Sequence, residues 1–163
     1  MNDGSSRVLI LSDTHGYLRE VPYLRNVDEY DYVIYLGDGY EEVEHWASVK
    51  GLSERFIAVT GNCDFAPSVS RQKLFEINGV RIFITHGDLY DVKNDYRQIF
   101  SKARELGADI AMFGHTHYAD HQMVEGIHLF NPGSVLPRGR DYCSVGYLEI
   151  KDSKIFVLDH LAF

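Results

Sequence analysis

The sequence is poor in cysteine and in long apolar runs. Its two cysteines, Cys63 and Cys143, stand far apart and in no CxxC pattern, which argues against a disulfide framework or a cysteine-rich zinc site and favours the cytoplasm. No apolar run approaches the roughly 18 residues that a membrane-spanning helix needs. The N-terminal stretch MNDGSSR has no apolar segment, so we predict neither a signal peptide nor a membrane partner.

Positive charge is also scarce, because 16 Lys and Arg face 24 Asp and Glu for a net charge of −8. This balance argues against binding of nucleic acid through a broad basic face. It does not exclude an anionic substrate, because bound cations reverse the local field. With 163 residues, 45% of them hydrophobic, the chain is long enough to bury a core, and we predict one domain over residues 1–163.

Short apolar runs that lead into polar tips recur along the chain. They are RVLIL before SDTHG, YVIYL before GDG, RFIAVT before GNCD, RIFIT before HGD, DIAMF before GHTH, and IHLF before NPGS. Short, nearly continuous apolar runs are typical of buried strands. Because ligands bind beyond the carboxyl ends of strands in α/β sheets, we expect the six tips to converge.

Helices are predicted between several of these strands. Residues 92–106 place apolar side chains on one helical stripe, with Asp91 as the predicted N-cap and Gly107 at the end. Residues 40–49 predict a weaker helix with acidic residues at its start.

Two hairpins complete the predicted elements. The segment KLFEINGVRIFI predicts a turn at Asn78–Gly79, and the C-terminal segment predicts another between Lys151 and Lys154. Since βαβ units come first and antiparallel strands follow, we predict two packed sheets with helices outside.

Seven polar residues at the tips form the candidate metal site: Asp13, His15, Asp38, Asn62, His86, His115 and His117. One divalent ion rarely uses so many side chains, whereas two ions sharing a carboxylate would use them all. Nitrogen and oxygen ligands without thiolate favour Mn, Fe, Zn or Co over copper or a structural zinc site. Taken singly, each residue also fits a turn or a cap, but the convergence of five tips favours the metal site.

The motifs DTH, GD, GN, HG and GHTH, in this order and each after a strand, resemble those of the calcineurin-like metallophosphoesterases. The short length, GNCD and NPGS resemble the small YfcE-like phosphodiesterase branch. The resemblance extends from about Arg7 to about Leu158. It implies an α/β fold, a four-layer α/β/β/α sandwich of two mixed sheets flanked by helices, and a binuclear metal centre.

The resemblance also implies how the ligands divide between the metals. The first metal takes Asp13, His15, Asp38 and His117, and the second takes Asp38, Asn62, His86 and His115. With Asp38 bridging, a hydroxide held between the metals attacks phosphorus in line, and the implied catalytic residues are Asn62, His115 and Asp38. The expected cofactors are two divalent ions, with Mn²⁺ preferred and Fe, Zn, Co or Ni as alternatives.

One departure from the family bears on the substrate. Many family phosphatases have GNH, whose histidine assists the leaving group, where this chain has Cys63. A thiol is a poor proton donor to an alkoxide, so we predict a phosphodiesterase that prefers activated leaving groups. The alternatives are a phosphomonoesterase for a nucleotide or sugar phosphate, and a non-catalytic scaffold like the small retromer subunit, which resembles this fold. The complete ligand set favours the enzyme.

The expected partner is a small phosphate ester, and a homo-oligomer is compatible with the sequence. Asn62 and Arg138 are the candidate substrate-binding residues. Arg138 and its neighbour Arg140 fit an exposed loop equally well. Asn131 and Ser134 of NPGS are expected to set a turn beside the site.

Several residues near the tips remain open to two interpretations. His121 fits a strand face better than a pocket wall, and Asp88 fits a turn slightly better than the support of a metal-bound histidine. Three loop aromatics, Tyr17, Phe65 and Tyr90, fit base stacking or simple packing.

Overall fold

The computed structural model describes residues 4–137 and 142–163. In these ranges the chain forms ten strands and two α-helices, with short 3₁₀ segments in the connections. The strands are β1 (Ser6–Leu11), β2 (Tyr32–Tyr35), β3 (Phe56–Ala58), β4 (Gln72–Ile77), β5 (Val80–Thr85), β6 (Ile110–Met112), β7 (Ala119–Val124), β8 (Ile127–Pro132), β9 (Ser144–Lys151) and β10 (Lys154–Ala162). The helices are α1 (Tyr40–Val49) and α2 (Arg97–Glu105), and the 3₁₀ segments are Leu18–Glu20, Pro22–Glu29, Ser53–Arg55 and Asp88–Tyr90.

The strands form two mixed sheets of five strands each. The first has the order β10-β9-β1-β2-β3 and the second the order β4-β5-β6-β8-β7. In the first sheet β1, β2 and β3 run parallel, while β9 is antiparallel to β1. In the second sheet β5, β6 and β8 run parallel between the antiparallel edge strands β4 and β7. Each sheet thus has adjacent parallel strands whose carboxyl ends lie along one edge.

Alternation along the strands separates the core into three apolar layers. On β1, Val8 and Ile10 pack between the sheets, while Leu9 and Leu11 face the layer that contains α1. The same alternation on the second sheet directs Phe83 toward the layer that contains α2. Each such fully buried side chain contributes about 1.5–3 kcal/mol relative to exposure. The layers confirm the predicted α/β/β/α sandwich.

Both predicted hairpins are present. Asn78 and Gly79 turn between β4 and β5 with φ of 47° and 83°. Asp152 and Ser153 turn between β9 and β10 with φ of 51° and 59°. Left-handed conformations at both turn positions match the right-handed twist of the paired strands.

The start of the second helix differs from the prediction. Residues 40–49 are helical as expected, but α2 begins at Arg97 rather than at residue 92. Asp91 has a left-handed φ of 50° and accepts a hydrogen bond from Asn94 N at 3.0 Å. It therefore begins a separate tight turn, and its prediction as N-cap is wrong. Gly107 follows the helix with φ of 65°, as expected.

None of the helices in the described ranges combines the length and apolar character needed to cross a bilayer.

Candidate metal centre

Six of the seven predicted ligands converge beyond the strand ends. Their segments are joined by backbone hydrogen bonds, such as Asp13 N to Gly37 O at 3.0 Å and Gly114 N to His86 O at 2.8 Å. The six side chains form two clusters, and in each the ligand atoms lie within 4.8 Å of one another. The first cluster is Asp13, His15 and His117, and the second is Asp38, His86 and His115.

The two clusters are adjacent, with Asp38 between them. Its Oδ2 lies 3.2 Å from His86 Nε2 in its own cluster and 3.7 Å from His15 Nε2 in the other. Asp13 Oδ1 similarly lies 3.1 Å from His117 Nε2 and 3.8 Å from His86 Nε2. Ligand atoms around an ion with bond lengths of about 2.0–2.2 Å are separated by about 3–4 Å. The spacing therefore fits a pair of neighbouring divalent ions.

Unpaired buried atoms provide a second test of the fit to metal. Asp13 Oδ1, His15 Nε2 and His86 Nε2 are buried and have no hydrogen-bond partner among the described residues. A buried polar atom without a partner costs about 1–3 kcal/mol. Coordination of cations would satisfy these three cluster atoms, and the imidazole and carboxylate donors suit divalent ions. Two further unpartnered atoms, Arg71 Nε and Asp88 Oδ1, lie outside the clusters.

Neighbouring groups orient these ligands. His86 Nδ1 donates to Leu36 O at 2.8 Å, which leaves the Nε2 lone pair on the side of Asp38. Asp13 Oδ2 accepts from Ser12 Oγ at 2.6 Å and from His115 N at 3.1 Å, so that Oδ1 remains unpaired. Such partners fix the tautomer and direction of metal ligands.

The electrostatics of the clusters favour ionised carboxylates and a neutral His115. Without metal, the contact with Asp13 raises the pKa of His15, and despite burial the contact with Asp38 raises the pKa of His86. Burial opposes ionisation of Asp13, but contacts with His117 and His15 outweigh it and hold the pKa of Asp13 well below its usual range. Burial also raises the pKa of Asp38, but the contacts with His86 and with the Cys63 amide outweigh it, so the pKa of Asp38 is lowered as well. Burial, then the charges of His86 and Lys93, lower the pKa of His115. The carboxylates are thus anionic and His115 is neutral at pH 7.

The clustered residues have unusual backbone conformations. Five of the six have a left-handed φ: Asp13 (55°), His15 (41°), Asp38 (63°), His115 (68°) and His117 (66°). This conformation costs a residue other than glycine roughly 1–2 kcal/mol. Strain of this kind concentrates at functional sites, and here it turns successive side chains toward one point.

Glycines allow the tips to approach this closely. A Cβ at Gly61 would lie 2.2 Å from Asp38 Oδ1, and a Cβ at Gly114 would lie 1.9 Å from Ser12 Oγ. Only glycine fits at Gly61 and Gly114, because there is no room for a Cβ beside Asp38 and beside Ser12 and Asp13.

The remaining predicted ligand, Asn62, has an exposed side chain whose Nδ2 lies 3.6 Å from Cys63 Sγ. Its segment does reach the site, because Cys63 N donates to Asp38 Oδ1 at 2.9 Å. The role of Asn62 as a ligand stays a prediction. Arg138 and Arg140 lie outside the described residues, so the prediction for Arg138 also stands untested.

Asp64 is a supporting residue that the sequence did not single out. Its carboxylate accepts four backbone hydrogen bonds, from Asp38 N, Gly39 N and Gly61 N at 2.8 Å each and from Tyr40 N at 3.0 Å. Gly39 is the N-cap of α1 and Tyr40 its first residue, so the carboxylate also caps that helix. The only sequence feature that could have pointed to Asp64 is its position at the end of GNCD, where an acidic residue after a glycine suggests a turn.

The NPGS segment supports the GHTH tip, as expected. Asn131 Nδ2 donates to Gly114 O and to Thr116 Oγ1, both at 3.0 Å. Ser134 Oγ donates to Asp13 O at 3.1 Å. His160 Nε2 donates to Asn131 O at 2.7 Å and thereby connects β10 to the site.

Two open interpretations are resolved by packing. His121 lies on β7 and bonds His128 across the strands at 2.9 Å, which is a strand-face role. The Asp88 carboxylate pairs with the Arg71 guanidinium, and Asp88 is the first residue of the 3₁₀ segment Asp88–Tyr90. Asp88 thus lies in a turn, the slightly favoured interpretation, and its carboxylate also forms an ion pair.

The loop aromatics differ in environment. Tyr90 packs edge-on against Phe83 with ring centroids 5.9 Å apart, and its hydroxyl donates to Gln72. Phe65 is 97% exposed and lines a cleft of about 530 Å³ that includes His15. Packing thus accounts for Tyr90 and leaves Phe65 facing the site.

A four-layer sandwich with paired histidine–carboxylate clusters at its strand ends defines a metallophosphoesterase. A model of the calcineurin-like phosphoesterase superfamily domain matches residues 7–153. The chain belongs to that superfamily, as the five motifs predicted.

Three similar proteins place the chain further. It is 36% identical over 148 residues to the probable metallophosphoesterase YsnB of Bacillus subtilis, covering 89% of this chain and 85% of YsnB. It is 29% identical over 127 residues to the phosphodiesterase YfcE of Escherichia coli K12, covering 70% and 63%. A crystal structure of Vps29 from Entamoeba histolytica with Zn²⁺ has a TM-score of 0.73 at 22% identity, covering 96% and 98%, and shows the same fold. The predicted similarity to YfcE is confirmed.

Proposed function

We propose that this protein is a phosphodiesterase with a binuclear metal centre. The observation that supports this most is the pair of adjacent clusters, which approach each other through Asp38 Oδ2 and contain buried ligand atoms without partners. The name of the relative YfcE supports the diester class.

Asp38 is the proposed shared ligand. Asp13, His15 and His117 would complete one site, and Asn62, His86 and His115 would complete the other. When bound, two divalent ions, for which we propose Mn²⁺, would supply an ionised water near neutral pH and positive charge for the phosphoryl oxygens. Asn62, whose amide is exposed, would also donate to a substrate phosphate oxygen.

The rest of the chain positions these groups. The bond from His86 Nδ1 to Leu36 O fixes one imidazole, and the bonds from Ser12 and His115 N fix Asp13. Because five of the clustered residues are held in left-handed conformations, their geometry depends on the loops rather than on the metal alone. This preorganisation favours in-line displacement at phosphorus.

The identity of residue 63 supports activated diesters as substrates. Burial and the negative charge of Asp38 raise the pKa of the Cys63 thiol, so it remains protonated but is a weak proton donor. An alkoxide leaving group gains little from such an acid. Esters whose leaving group is already stable as an anion depend less on proton donation.

A non-catalytic scaffold is the second candidate, since Vps29 has the same fold. Against it, all six clustered positions hold residues competent to bind metal. A phosphomonoesterase is the third candidate, and the comparison of substrates below separates it.

The experiment is to remove metal with a chelator, restore Mn²⁺, and compare bis(p-nitrophenyl) phosphate with p-nitrophenyl phosphate. We expect metal-dependent hydrolysis with preference for the diester, and its loss in Asp38→Asn. Asp28→Asn is the matched control, because Asp28 is 89% exposed and pairs only with Arg55 among the contacts described for it. A preference for the monoester would favour the third candidate. No turnover of either ester with Mn²⁺, Zn²⁺, Fe²⁺ or Co²⁺, despite bound metal, would favour the scaffold.

We also propose a single domain over residues 1–163, because β1 and β10 belong to the same sheet. The two free cysteines support the cytoplasm as its location.

A further inference from the structure

The cleft beside the first metal cluster has a definite composition. It measures about 530 Å³, and its lining includes His15 of the first cluster together with Cys63, Tyr40, Phe65 and Glu41. Since a proposed metal ligand forms part of its wall, the cleft is placed to receive an ester group of a bound substrate.

Phe65 is the aromatic surface of the cleft. Its side chain is 97% exposed, although residues around it are ordered by the four hydrogen bonds to Asp64. Full exposure forfeits the burial energy that a phenylalanine normally contributes to folding. An exposed ring beside a candidate metal cluster, next to a residue held by four hydrogen bonds, is suited to stacking on a flat ligand.

The charges of the cleft determine which flat ligands fit. The described residues that line the cleft include Glu41 and Glu42 but no lysine or arginine. Glu42 accepts from Gly16 N and Leu18 N at 3.2 Å each, and Glu41 is exposed. An additional negative group on the ligand, away from the metal-binding end, would meet repulsion from Glu41 with no cationic side chain among the described lining residues to offset it.

We propose that this cleft binds an uncharged aromatic ester group, such as a nucleoside, whose ring stacks on Phe65. Glu41 disfavours ester groups that carry an additional negative charge. This inference rests on the proposed function and narrows its substrates to diesters that carry an aromatic group without a second phosphate or carboxylate. Phe65 is thereby a specificity-determining residue.

Kinetics with symmetric diesters test the proposal without knowing which ester group enters the cleft. For bis(p-nitrophenyl) phosphate we expect Phe65→Ala to raise KM about 5- to 150-fold, the range for loss of one aromatic stacking contact, with little change in kcat. Phe65→Trp should retain a low KM. Phe156→Ala is the matched control, since Phe156 is also exposed but lies on β10. An unchanged KM in Phe65→Ala overturns the proposal.

The charge arm uses bis(p-carboxyphenyl) phosphate, whose rings each carry an anion. Glu41→Gln should raise kcat/KM for this ester several-fold relative to the nitrophenyl ester. An equal effect on both esters would contradict selection by charge.

A binding measurement separates this inference from the proposed function. Saturation-transfer NMR of adenosine with the metal-free protein reports ring contact whether or not the enzyme turns over. We expect transfer to the base protons that is lost in Phe65→Ala and kept in Phe65→Trp and Phe156→Ala. Transfer unaffected by Phe65→Ala refutes the inference even if diesters are hydrolysed, whereas Phe65-dependent transfer without any turnover refutes the proposed function alone.

Discussion

Replacement of Asp64 should destabilise the whole metal-binding edge, because one carboxylate holds four backbone N–H groups from two segments. Its Oδ2 accepts from Asp38 N and Gly61 N, and its Oδ1 accepts from Gly39 N and Tyr40 N. In Asp64→Ala these four donors lose their acceptor. In Asp64→Asn the amide nitrogen must face two of the donors in either orientation, so asparagine is not a conservative replacement here.

The expected magnitude follows from the count of bonds. A hydrogen bond to a charged acceptor contributes about 1.5–3 kcal/mol, and loss of an N-cap alone costs about 0.5–2 kcal/mol. The four bonds share one half-buried carboxylate that water can reach, so they do not add fully. We expect Asp64→Ala and Asp64→Asn each to lower the free energy of unfolding by about 3 kcal/mol.

Urea unfolding with chelator present is the suitable assay, since bound metal would otherwise stabilise the native state. Asp28→Asn, at an exposed ion pair with Arg55, should change stability by less than about 0.5 kcal/mol. A loss below about 1 kcal/mol in Asp64→Asn would refute the reasoning, because it would mean that water replaces the carboxylate at little cost.

Three further predictions concern the site itself. Cys63→His should raise kcat for esters with alkyl leaving groups more than for nitrophenyl esters, because imidazole is the better proton donor; an equal gain for both classes would contradict this. Gly114→Ala should weaken metal binding and lower the melting temperature, since its Cβ would lie 1.9 Å from Ser12 Oγ; titration calorimetry and thermal unfolding check both effects. Ser12→Ala removes the 2.6 Å hydrogen bond to Asp13 and should weaken metal binding about 10- to 100-fold, whereas unchanged affinity would show that His115 N alone orients Asp13.

The strands and most of the ligands could be predicted from the sequence because both depend on local patterns. A short, nearly continuous apolar run such as RVLIL, bounded by turn residues, is typical of a buried strand. The polar residues after it then lie at the sheet edge, and the left-handed conformation of Asp13 completes its approach to the candidate metal centre.

Features that depend on tertiary contacts could not be predicted from local sequence patterns. The role of Asp64 requires Asp38 N and Gly61 N to meet at one carboxylate, and these donors belong to loops after different strands. The predicted start of α2 at residue 92 was wrong for a related reason. Val92 is buried as its spacing predicted, but the left-handed Asp91 places it in a tight turn rather than in a helix.

Metal stoichiometry tests the central claim most directly. We would reconstitute the metal-free protein with Mn²⁺, remove unbound metal, and measure bound metal per chain by mass spectrometry for the wild type, His117→Ala, His86→Ala and the control Asp28→Asn. The binuclear account predicts two ions per chain in the wild type and the control, and fewer in each histidine variant because each removes a ligand from a different cluster. A wild-type value of one ion or none, or two ions retained in both histidine variants, would contradict it.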